Sequence, residues 1–370
     1  MSSPLWVPSN EKINNSLMHK FMQECPENFE SYSDLHKWSI NDMESFWSQF
    51  WDFSKIKYSK NFDTVLEKPV MPGAKWFSGS KLNYAENLLK GDPEQDAILS
   101  LGENKSTRSL TFRELNQKVS SVQKGLIDLG VKKNTIVAGF VPNCSETVIM
   151  MLAVSSLGAV WTSCSPDFGA KGVVDRFGQV NPQILITSNG YSYNGKLFKL
   201  EDKVNGVLEV IDSIEHIIEI NYVDVDSAFN HKSVISFDTL LENKGELPRF
   251  EQLSFDHPLY IMYSSGTTGP PKSIIHSAGG TLIQHMKEHQ LHCDIQSGKS
   301  KMFWFTTCGW MMWNWLVSGL SSGATIVLYD GSPSYPNLEK LWKMIDELKI
   351  THFGTSPKFL SACDANKLLP

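Results

Sequence analysis

Tyr263 to Ser273 reads YSSGTTGPPKS. Started at Gly266, it meets the phosphate-loop pattern G-x-x-x-x-G-K-[ST] at every position but one: Pro271 stands where that pattern needs glycine. Proline has no N–H and a φ held near −65°. Pro270 in front of it is itself kept out of the α region. The chain therefore cannot wrap a phosphate and enter a helix at Lys272, which disfavours a strand–loop–helix triphosphatase. What remains is an extended loop. Gly266 and Gly269 let the backbone approach an anion, Ser264, Ser265, Thr267 and Thr268 offer hydroxyls, and Lys272 adds a point charge. A solvated turn shares the Gly and Ser content, but it leaves the single lysine unexplained. The apolar run LYIMY (259–263) just before the loop reads as a strand, and ligands of α/β sheets bind where loops leave the carboxyl ends of strands.

Around this loop, helical and strand-like runs alternate. Leu115, Val119, Val122, Leu126 and Leu129 share one helical face, ended by Gly130. TIVAGFV, AVWTSCS, QILITS, ATIVLY and THFGTS read as strands, with helices between them. Asn143 and Glu146 resemble a capping box. Continuous apolar strands alternating with helices predict an α/β fold with parallel sheets. Before this pattern, Met43, Phe46, Trp47, Phe50 and Trp51 predict one apolar helical stripe within 34–56. Residues 221–250 read as a surface connection with one short element.

The 370 residues allow two domains. A net charge of −6 speaks against wholesale nucleic-acid binding. The six cysteines include no C-x-x-C pair, so buried free thiols are expected rather than a zinc ribbon or a disulfide framework. The N-terminus has neither a long apolar core nor a basic flank, and the most apolar stretch, 310–320, is too short to span a bilayer. Cytoplasmic placement is the default expectation.

YSSGTTGPPKSIIHSAGG resembles the phosphate-loop signature of the adenylate-forming superfamily, S-S-G-T-T-G-x-P-K-G, with Ser273 in place of the last glycine. TTCGWMMWNWLVSGLSSGATIVLYDGSP (306–333) resembles the acyl-pocket region of the acetyl-CoA synthetase branch. There the acetyl-specific members carry a small β-branched residue and a threonine after Gly-Trp, whereas this chain has Met311 and Met312. WFSGSKLNYAENLL (76–89), SPDFGAKGVVDRFGQVNPQILI and HSAGGTLIQHMKEHQLH extend the likeness to the acetoacetyl branch of these ligases.

That resemblance implies a cap region of the acetyl-CoA synthetase type over 1–100 and an AMP-binding domain over 101–370. It implies a ligase that uses ATP, Mg2+ and CoA: acetoacetate attacks the α-phosphorus of ATP, and the CoA thiol then displaces AMP. Ser264, Ser265, Gly266, Thr267, Thr268, Gly269 and Lys272 would hold the ATP phosphates. Trp310, Met311, Met312 and His276 would shape the acyl pocket, and Lys196 in YNGK would face CoA. The implied partners are these small molecules, with no nucleic acid and no membrane, and the implied role is cytosolic ketone-body use for lipid synthesis. Members of the superfamily continue past the point matching Pro370 into a mobile C-terminal domain bearing the catalytic lysine. The chain is thus expected to be a truncated N-terminal part, without that domain, without a catalytic residue or metal ligand of its own, and inactive alone. The alternative is a non-catalytic nucleotide-binding or regulatory protein.

Overall fold

The computed structural model describes residues 4–103, 105–243, 247–264 and 269–368. Among them, two larger sheets carry the fold. The first runs in the order Val234–Ser236, His216–Ile220, Ile184–Ser188, Ile136–Phe140, Val160–Cys164, Pro258–Ser264 and Lys272–Ser277. All neighbours are parallel except the last pair. The second runs His352–Gly354, Lys301–Trp304, Thr325–Asp330 and Asp96–Gly102 in parallel, with Arg108–Thr111 as an antiparallel edge. The strand composition explains this arrangement. Ile184–Ser188 and Val160–Cys164 are buried at every position, as strands covered on both faces must be.

The α-helix Ser145–Ser156 is buried at every position except Glu146, and it touches both sheets. A helix apolar all round belongs between layers rather than at a surface. Beside it lies Phe112–Asp128, started by a reciprocal cap: Thr111 Oγ1 accepts the Glu114 N–H (3.2 Å) and Glu114 Oε2 accepts the Thr111 N–H (2.8 Å).

Some elements differ from the reading of the sequence. Asn143 does not cap the next helix. Cys144 holds the N-cap position without a side-chain bond, Glu146 pairs with Arg108 (2.8 Å), and Asn143 reaches the second sheet instead. Residues 34–56 take in parts of two helices, Tyr32–Asn41 and Met43–Phe53, and the aromatic stripe from Met43 to Trp51 lies whole on the second. The helices are split at Asp42, whose Oδ1 accepts the Ser45 N–H (3.1 Å). Met43 is exposed in the first turn, while Phe46, Phe50 and Trp51 are buried. Residues 221–250 hold an edge strand and the helix Phe237–Leu241, more than a bare connection. A boundary at residue 100 cuts the Asp96–Gly102 strand, which pairs with Thr325–Asp330 through Asp330↔Gly102. All six cysteines are free, four of them buried. Among the described residues, no helix is long and apolar enough to cross a membrane.

Asn83 joins the N-terminal region to the sheets. It is fully buried, its amide Nδ2 donates toward the carbonyls of Ser155 (3.3 Å), Ser156 (3.1 Å) and Glu251 (2.8 Å), and its Oδ1 accepts the Glu86 N–H (3.2 Å). Removing it strands several buried polar groups. Asn83→Ala is expected to lower unfolding free energy by about 2–3 kcal/mol in urea denaturation, and a loss under about 0.5 kcal/mol would contradict this joint.

Candidate functional site

The loop read from the sequence is the turn of a β-hairpin. Pro258–Ser264 and Lys272–Ser277 are antiparallel, with Ser264 opposite Lys272. Ser265, Gly266, Thr267 and Thr268 lie outside the described residues. Lys272 starts a strand, not a helix, in line with the extended course read for this loop. Gly269, at φ +97°, has nothing within 4 Å of a built Cβ, so backbone conformation rather than crowding selects glycine there. The exit of the loop is clamped from the first sheet's helix layer. Gln179 Nε2 donates to the Pro271 carbonyl (2.7 Å), and Ser273 Oγ donates to Gln179 Oε1 (2.9 Å). The hydroxyl that replaces the signature's glycine thus has a structural partner. At the entrance, Tyr263 and Thr162 share a hydroxyl bond of 3.0 Å, and Thr162 Oγ1 also lies 3.0 Å from the Ile261 carbonyl.

The segment 310–315 lies behind the hairpin. Trp310 is 65% exposed and caps the helix Met311–Ser318, whose first two residues are half-buried. The His276 ring lies tilted against Tyr260 at 5.0 Å between centroids, half-buried, and burial lowers its pKa from the ordinary value. Asn314, one turn after Met311, is 3% exposed. Its Nδ2 meets the thioether of Met262 at 3.7 Å, and its Oδ1 has no hydrogen-bond partner. An amide so deeply buried and so poorly paired is uncommon.

Under this helix, Ser318 Oγ lies 2.6 Å from the Trp315 carbonyl, 2.9 Å from His285 Nδ1 and 2.8 Å from His289 Nε2. One hydroxyl proton serves the carbonyl, so both imidazoles donate an N–H to the Ser318 oxygen. Burial keeps both rings neutral, holding His285 at about 4 and His289 at about 3. Glu288 adds a bond from Trp315 Nε1 (2.8 Å). The floor of this region is therefore fixed.

The carboxyl ends of the two sheets converge on Asn143. Its N–H donates to Asp330 Oδ1 (3.0 Å), its Nδ2 reaches the carbonyls of Thr306 (3.4 Å) and Tyr329 (3.3 Å), and its Oδ1 accepts from Trp313 Nε1 (2.9 Å). Beside this joint lies a cavity of about 310 Å³, walled by Ser165, Asp167, Tyr191, Phe198, Thr306 and Asp330 among others. Tyr191 and Phe198 stack at 5.1 Å. Lys203 Nζ sits 5.4 Å from the Tyr191 ring. Lys196 opens the outer strand of this hairpin, Lys196–Lys199 paired with Gly190–Tyr193. Lys196 pairs with Tyr193, which walls the cavity, but does not itself wall it. Glu103, Gln179, Asp330 and the aromatic pair were not singled out by motif, and Asn143 only as a cap, because their partners are remote in sequence.

With this geometry in hand, comparison with known proteins is direct. The profile of the AMP-binding enzyme family matches residues 86–369, and that of the acetyl-coenzyme A synthetase N-terminus matches residues 32–88. The chain belongs to the AMP-binding enzyme family. Within it, the chain is similar to acetoacetyl-CoA synthetases. It is 43% identical over 368 residues to that of Rhizobium meliloti (strain 1021), covering 97% of this chain and 56% of that protein. It is 42% identical to the Gallus gallus protein, covering 100% and 57%. The malonamoyl-CoA synthetase of Penicillium aethiopicum is 38% identical, covering 99% and 54%. The solved acetoacetyl-CoA synthetase from Streptomyces lividans superposes with a TM-score of 0.95 at 38% identity, covering 99% of this chain and 57% of that one. The chain thus spans a little more than half the length of these relatives.

Burial pushes the Asp330 carboxyl up to about 6, against the bonds from Asn143 and Tyr222 that favour its ionised form. A carboxyl raised in the fold stabilises it fully below the unfolded value near 4, and that stability is lost as pH rises through about 6. Asp330→Asn is expected to remove a fall on the order of 2 kcal/mol between pH 4 and pH 7. Urea unfolding of both proteins across that range checks it, and equal slopes would contradict it.

Proposed function

We propose that the protein is an acetoacetate–CoA ligase of the AMP-forming kind. The carboxylate oxygen of acetoacetate would attack the α-phosphorus of ATP, breaking the bond to pyrophosphate and giving acetoacetyl-adenylate. The CoA sulfur would then attack the acyl carbon and displace AMP. Similarity to acetoacetyl-CoA synthetases over nearly the whole chain supports this reading.

The observation that carries the substrate is the buried Asn314 amide, which lies on the helix that also bears Met311 and Met312 and is set against the Met262 thioether. Unbranched thioethers adapt to a small acyl chain. A poorly paired amide favours a chain with a polar atom on it, because filling the site with a plain alkyl group leaves the amide unpaired. Turning the amide over about its Cβ–Cγ bond gives up only the thioether contact and presents an N–H to a ketone oxygen. A primary amide suits the same group, so malonamate is the second substrate to test.

Ser264, Gly269 and Lys272, with the loop residues Ser265, Gly266, Thr267 and Thr268, would hold the ATP phosphates, and Lys272 would offset charge on the departing pyrophosphate. Trp310 and His276 would close the acyl pocket. The aromatic-walled cavity beside Lys196 and Lys203 would take CoA, whose nucleotide end offers a ring to stack and phosphates to pair. Magnesium enters as part of the MgATP substrate. Among the described residues no group of three His, Cys, Asp or Glu side chains gathers to hold it, and no step is assigned to it.

Pyrophosphate release by the full-length protein tests the reading, with acetoacetate, malonamate, butyrate and acetate compared. Acetoacetate is expected to exceed butyrate and acetate by about tenfold or more in kcat/KM, and equal values would overturn the assignment. Asn314→Leu is expected to lower kcat/KM for acetoacetate by about 10–100-fold while changing that for butyrate by less than about threefold.

A further inference from the structure

The strand Asp96–Gly102 leaves the second sheet directly into Glu103, which is only 9% exposed. Its Oε1 accepts the backbone N–H groups of Asn194 (2.6 Å) and Ser332 (2.6 Å), and its Oε2 accepts that of Gly195 (2.8 Å). One carboxylate thus collects three backbone donors from two loops.

The first loop is the tip of the hairpin Gly190–Tyr193/Lys196–Lys199, which stands on the end of the Ile184–Ser188 strand in the first sheet. Asn194 (φ +53°) and Gly195 (φ +75°) are both left-handed, so successive N–H groups turn to one side and form a concave donor pair. The second loop follows Asp330 in the second sheet. A Cβ on Gly331 would lie 2.3 Å from the Glu103 Cγ, so this loop and the carboxylate are fitted to each other. Both loops wall the aromatic cavity: Tyr193 and Phe198 on one side, Asp330 and Gly331 on the other. Glu103 therefore sets how far the hairpin stands from the Asp330 loop, and so the width of the cavity.

We propose that Glu103 is a positioning residue for the second half of the reaction, holding the cavity at the width that grips CoA while taking no part in adenylate formation. This rests on the reading of that cavity as the CoA site. None of the bonds the carboxylate makes reaches the Ser264–Lys272 hairpin or the Met311–Ser318 helix. A glutamine at this position offers one oxygen and one NH2, so at least one backbone N–H would face another donor.

In the full-length protein, Glu103→Gln is expected to raise KM for CoA by about tenfold. Acetoacetate-dependent pyrophosphate–ATP exchange, which needs no CoA, is expected to stay within about twofold. Glu103→Asp keeps the charge with a shorter reach and is expected to fall between wild type and Glu103→Gln. Phe198→Ala, in the cavity wall, reports on the underlying reading. A raised KM for CoA in both Phe198→Ala and Glu103→Gln, with exchange retained in the latter, supports the proposal. If Phe198→Ala raises it and Glu103→Gln does not, the positioning role is overturned and the cavity reading stands. If neither variant moves it, the cavity is not the CoA site and the proposal falls with that reading. Equal losses in exchange and in thioester formation in Glu103→Gln would mean that Glu103 supports the whole fold, and would also overturn it.

Discussion

The amide of Asn143 is where the two parallel sheets meet. Through its N–H and side chain it engages Asp330, Thr306 and Tyr329 at the ends of the second sheet's strands, while its own backbone continues from Ile136–Phe140 of the first. The bond from Trp313 adds the helix that carries Met311 and Asn314. Each of these groups is buried, and a buried donor or acceptor left unpaired costs about 1–3 kcal/mol, so the sheets cannot shift without breaking several bonds together. The cavity and the helix that carries Met311, Met312 and Asn314 hang from this joint. Their positions follow from the relation between sheets rather than from either sheet alone.

The phosphate-loop candidate is supported differently. A helix N-terminus would offer aligned N–H groups and a dipole. Two prolines in succession deny it that, and the segment returns as an antiparallel strand. The candidate therefore relies on hydroxyls, glycine backbone and one lysine, with Gln179 fixing the exit through Pro271 and Ser273. The strand on which the loop is built is buried as far as Ile261 and only half-buried from Met262 to Ser264. Packing thus loosens along the strand toward Ser264.

Much of the architecture was legible in the chain. Ile136–Phe140, Val160–Cys164 and Ile184–Ser188 stood out as continuous apolar runs because parallel strands are covered on both faces. The Leu115–Leu126 face stood out because a helix buries one stripe. Readings failed where a local pattern had a stronger distant competitor. Asn143 and Glu146 have the spacing of a cap, but Asp330 and Arg108 take them. Asp42 ends one helix and starts the next within 34–56, and the aromatic stripe lies whole on the second.

The sequence by itself determined the alternation of helices and strands, the extended course of the loop at Pro270 and Pro271, and the place of the glycine- and hydroxyl-rich loop after a buried strand. These depend on neighbours within a few residues, where dihedral limits and burial period act. Only the tertiary structure decided that Glu103 would gather N–H groups from Asn194, Gly195 and Ser332, that Asn314 would lie buried with an unpaired oxygen, and that Lys196 would flank an aromatic cavity. Those arrangements join residues from separate strands and loops, and no local pattern encodes which buried carboxylate or amide meets which backbone group. That is settled by how the two sheets pack.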